Sequence, residues 1–136
     1  MVTGYRINIL EKKLQELTEE MPSIQGAVIV SIEGFIVAAY PTTDTITQTM
    51  ARTDTPQVAA MAATLFALGE QTLNRLAQGQ VERLMIEGER GAMIVYPINQ
   101  NAALAAMVSK GAKMGLALLA VARASEFFAQ VLSGAS

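Results

Sequence analysis

The chain has 136 residues, 51% of them hydrophobic and 16% charged, with a formal net charge of −2 and a mean hydropathy of +0.33. That length suits one domain, residues 1–136, around a single core, and the hydropathy is high enough for some apolar surface to be shared with a partner. With no cysteine or histidine, its 10 basic residues scattered from Arg6 to Arg123 and 5% aromatic content, the chain lacks thiolate nucleophiles, the common zinc sites, the usual neutral-pH general base and any nucleic-acid footprint.

Residues 5–21 read as a first helix, with Ile7, Leu10, Leu14, Leu17 and Met21 in one narrow stripe. Arg6, Glu11, Lys12 and Lys13 stand where a signal peptide would need its apolar core, so a cytosolic protein is expected. Pro22 and Ser23 stop the helix. Two strands follow, IQGAVIVSI (residues 24–32) and FIVAAY (residues 35–40), joined at Glu33-Gly34 by a tight turn. Both faces of these strands are apolar, so the sheet has to be covered on two sides. Residues 41–54 are polar and threonine-rich and read as a loop.

Thr55-Pro56 is a good start for a second helix, residues 55–77, because the hydroxyl can accept a bond from an orphan N–H and proline gives up a donor that was unpaired anyway. Its large apolar side chains, Val58, Met61, Leu65, Phe66, Leu68, Leu73 and Leu76, spread over roughly 180° at about 100° per residue, wider than one core contact requires. Most of the remainder is alanine. Such a helix can touch protein on two sides. Three strands come next, at residues 81–86, 92–97 and 102–108, the first two flanking Glu87-Gly88-Glu89-Arg90-Gly91. The strand at 81–86 carries Glu82 and Arg83 in its middle, which suits a sheet edge. A last helix covers residues 114–132. Its uninterrupted apolar run, residues 114–122, falls well short of the roughly 20 residues that span a bilayer, and membrane insertion is not expected. The order is helix, two strands, helix, three strands, helix: one α+β domain.

The segment from Ser109 to Gly115 has glycines and lysines ahead of a helix, as phosphate loops do, but lacks the G-x-x-x-x-G-K-[ST] spacing and reads as a turn. Glu82, Glu87 and Glu89 read as a solvated edge and hairpin tip rather than a metal or acid-base site. Arg52 and Arg75 flank the second helix and could meet an anionic ligand or a partner's nucleotide. No cofactor is indicated.

The order of elements, with GAVIVSIEGFIVAAY and IEGERGAMIVYPI, the alanine-rich central helix followed by Gly79, and the entry Lys110, Lys113, Gly115, Leu116 to the last helix, resembles the Roadblock/dynein light chain family over nearly the whole chain. The resemblance implies a five-stranded antiparallel sheet ordered 2-1-5-4-3, the first and last helices on one face and the central helix on the other. It implies a dimer in which third strands pair edge to edge and central helices lie side by side, with Met61, Leu65, Leu68, Val81, Arg83 and Met85 at the interface. It also implies a small Ras-like GTPase as partner, regulated without catalytic residues of the chain's own, with Arg52, Ala60, Thr64, Gln71 and Arg75 facing it. Against this stand a small-molecule sensor, disfavoured by tightly matched apolar strand faces with few inward polar groups, and an enzyme, disfavoured by the missing histidine and cysteine.

Overall fold

A computed structural model describes residues 4–41, 56–111 and 113–133. Three helices, α1 (Gly4–Glu20), α2 (Pro56–Arg75) and α3 (Met114–Ser133), and five strands, β1 (Ile24–Ser31), β2 (Ile36–Tyr40), β3 (Leu84–Glu87), β4 (Gly91–Asn99) and β5 (Ala102–Ser109), alternate in the expected order. The strands form one antiparallel sheet ordered β2-β1-β5-β4-β3. Thr55, Arg52 and all but the first residue of the 41–54 loop lie outside the described residues.

The two faces of the sheet are covered unequally. On one, α1 and α3 bury Leu10, Leu14, Leu17, Val121 and Phe128 against Ile24, Ile29, Ile94, Leu104 and Val108, a layer of large side chains. On the other, α2 meets Val28, Val30, Ala39, Val95, Ala103 and Ala105 through Ala59 and Ala62, a layer of little more than valine and alanine. Alternation along β5 produces both layers at once, because Ala103 and Ala105 point to α2 while Ala102, Leu104 and Ala106 point to α1 and α3. Small side chains on both partners let α2 sit close to the sheet, but they remove little apolar area from water.

Two strand ends differ from those expected by more than one residue. The third strand starts at Leu84 rather than Val81, so Glu82 and Arg83 precede it instead of lying within it. The backbone N–H of Val81 donates to Glu70 Oε1 (3.2 Å), committing that residue to α2, and the ladder opens only at Leu84 opposite Val95. Conversely β4 runs through Pro97 to Asn99. Since β3 pairs only with residues 92–95, the N–H that Pro97 lacks has no ladder partner to miss.

The last helix is more hydrophobic than its longest apolar run suggests. A broken apolar run can still be hydrophobic on average: α3 has 20 residues and a mean hydropathy of 1.4 over its best window, enough by length and composition to cross a membrane. Its inner face, Ala117, Val121, Ala124 and Phe128, is instead buried against the sheet and α1.

Candidate functional site

The second side of α2 is open. At about 100° per residue, the buried Ala59, Ala62 and Ala63 define the sheet-facing side, with the half-buried Val58 and Phe66 packed on the same layer. Roughly 120° around the helix on that reckoning, Met61, Leu65, Leu68 and Thr72 recur at four- and three-residue steps, the spacing of a helix–helix seam. Met61 is 55% and Leu68 57% exposed. The expected two-sidedness is therefore present: Ala59, Ala62 and Ala63, with Val58 and Phe66, face the core, and Met61 and Leu68 face out.

That stripe continues onto the sheet edge. Leu65, Leu68, Gly69, Thr72 and Leu73 on α2 face Val81, Arg83, Leu84 and Ile86 across an open groove of about 390 Å³. Gly69 sets its floor, since a Cβ there would stand 3.4 Å from Val81 Cγ2. Beyond the groove β3 has no second strand neighbour among the described residues, leaving one row of backbone groups at an edge.

Of the residues expected at a dimer interface, Met61, Leu65 and Leu68 share the stripe, and Arg83 lines the groove beside two of them. Val81 and Met85 stand apart from the stripe. Val81 is 6% exposed, packed beneath its own helix, so its side chain has little left to offer a second chain. Met85 pairs with Ile94, whose side chain belongs to the α1–α3 layer, so Met85 lies on the sheet face away from the stripe. The residues with the right parity are Leu84 and Ile86, opposite Val95 and Met93 on the α2 side. Alternation alone could have found them once Leu84 opened the strand.

On the outward face of α2, Ala60, Thr64, Gln71 and Arg75 are all exposed and fall within roughly 60° of one another at about 100° per residue. Arg52 is outside the described residues. Thr64 turns its hydroxyl back to the Ala60 carbonyl (2.8 Å), and Thr72 does the same to Leu68 (2.8 Å). Gln71 and Arg75 border a shallow depression with Leu68 and Leu76. Glu82, Glu87 and Glu89 are exposed, and among the described residues no three histidine, cysteine, aspartate or glutamate side chains gather as metal ligands. The segment before α3 spends its first amides on backbone: Ser109 N–H donates to Ser23 O (2.8 Å) and Lys110 N–H to Arg90 O (3.1 Å), so neither is free to cradle a phosphate.

A sheet covered by two helices on one face and a single two-sided helix on the other defines an α+β scaffold with an open helix-and-edge surface. A family model for the Roadblock/LC7 domain matches residues 10–108, and the chain belongs to that family. An uncharacterized protein of Methanocaldococcus jannaschii is 26% identical over 118 residues, covering 87% of this chain and 95% of its own. Among solved structures, the gliding protein MglB of Thermus thermophilus superimposes with a TM-score of 0.85 at 20% identity, covering 99% of this chain and 96% of that one. An MglB solved in a tetrameric arrangement gives 0.84 at 19% identity, with coverage of 98% and 94%.

Proposed function

We propose that this protein is a homodimeric interaction module that binds and regulates a small Ras-like GTPase, contributing surface rather than catalytic groups. The observation that carries the reading is the outward apolar stripe Met61, Leu65, Leu68 on a helix held to its own sheet mainly by alanines. An identical stripe on a second copy would complete the packing that the first leaves open, and a two-fold axis would bring the β3 edges together at the same time. Membership of the Roadblock/LC7 family supports the GTPase as partner, and the tetrameric arrangement of a similar MglB supports self-association. With the stripe occupied by the mate, Ala60, Thr64, Gln71 and Arg75 remain on the outer surface for the GTPase.

The test has two parts. Light scattering at micromolar concentration should give the mass of a dimer, and Met61→Glu with Leu68→Glu should give a monomer that keeps its helical and strand content. Purified small Ras-like GTPases of the source organism, loaded with GDP or a non-hydrolysable GTP analogue, should then include one that binds the wild-type dimer. A wild-type monomer would falsify the assembly, and a complete lack of binding across the panel would remove the partner.

A further inference from the structure

The turn between β1 and β2 holds large apolar residues out in water. Phe35 is 71% exposed and Ile32 49%, where turns ordinarily carry small or polar residues. The tip is nonetheless rigidly built. Ser31 N–H donates to Phe35 O (2.8 Å), Gly34 N–H to Ser31 O (2.9 Å) and Ile32 N–H to Asn101 O (3.0 Å). Phe35 N–H is in turn received by the Ser31 hydroxyl oxygen (3.1 Å). Gly34, at φ +97°, brings this tip against α2: a Cβ there would lie 3.5 Å from Ala60 Cα.

Ala60 lies roughly 110° around α2 from the centre of the Met61 stripe at about 100° per residue, on the flank away from β3. A second copy seated on that stripe therefore leaves the tip uncovered, whereas a protein resting on Ala60, Thr64, Gln71 and Arg75 meets it directly. That outward face of α2 supplies area without a large apolar side chain, and interfaces draw most of their energy from a few large buried anchors. A turn whose backbone is already held loses little backbone entropy on binding.

We propose that Phe35, with Ile32 beside it, is the apolar anchor of the GTPase-binding surface and inserts into an apolar pocket on that partner; this rests on the GTPase reading above. The test uses the full chain. Phe35→Ala removes an exposed ring and should leave the dimer mass and unfolding midpoint unchanged, while raising the Kd for the GTPase that binds wild type at least tenfold by titration calorimetry. Phe35→Leu, which keeps an apolar side chain, should fall between the two. Wild type binding with Phe35→Ala within twofold of it would overturn the anchor and leave the GTPase reading intact. Dissociation of the Phe35→Ala dimer would also overturn it, by assigning the ring to the mate. If no GTPase of the panel binds wild type, the reading and the anchor fall together.

Discussion

Ala77 closes α2 at a φ of 56°, in the left-handed region that costs a residue with a Cβ roughly 1–2 kcal/mol. The surrounding bonds hold it there: Gln78 N–H reaches back to Leu73 O (2.8 Å) and Ala77 N–H to Asn74 O (3.1 Å), the six-to-one closure of a helix end. Ala77→Gly should therefore stabilise the protein by about 0.5–1 kcal/mol, the left-handed penalty less the extra entropy glycine loses on folding. In urea the midpoint should rise with the slope unchanged; a fall would mean that the Ala77 methyl contributes packing. Residues of this kind are illegible in sequence, because the usual helix-ending signal is the glycine at 79, which also has a positive φ but lies two residues beyond the cap. The outward place of Met61 and Leu68 on α2 came with the over-wide apolar arc and the family resemblance. What hydrophobicity alone does not show is that the Val28, Val30, Ala103 and Ala105 surface takes up mainly Ala59 and Ala62.

At the scale of elements, β3 and α2 act together because Glu70 and Gly69 fix the return from one to the other. A four-residue strand with one neighbour is short enough to resist random pairing and regular enough to pair with its own copy. If third strands join across the dimer, the amides of residues 84–87 that do not bond to β4 should exchange slowly in wild type. They should exchange freely in the Met61→Glu, Leu68→Glu monomer. Equal exchange rates in the two would eliminate the continuous sheet while leaving helix pairing possible. The presence and order of α1, β1, β2, β4, β5 and α3 were legible from period and turn residues. The parity of β3 was not, because Val81 lies outside the ladder and its side does not fix that of Met85, which pairs with Ile94 while Leu84 and Ile86 pair with Val95 and Met93 on the α2 side.

Over the whole molecule, element order could be read from alternating periods, whereas the sheet order came with the family resemblance, because hairpin signals alone do not say that β5 returns to lie between β1 and β4. That arrangement puts α2 alone on one face, with its outward residues free to meet a second protein, and it bears on how a GTPase would be regulated. An arginine finger must reach the γ-phosphate and be held there, and it is worth roughly 10³- to 10⁵-fold in turnover. Arg75 sits exposed in the last turn of α2, beside a shallow depression rather than in a built pocket. A dimer that acts by holding the partner's own switch residues in place needs no such group. Where the bound GTPase is accelerated, Arg75→Ala should lower hydrolysis by no more than about tenfold, through weaker binding, and Arg52→Ala should do the same on that scale. Single-turnover hydrolysis at saturating protein separates chemistry from affinity. A thousandfold loss at either arginine with binding unchanged would replace positioning by insertion as the mechanism.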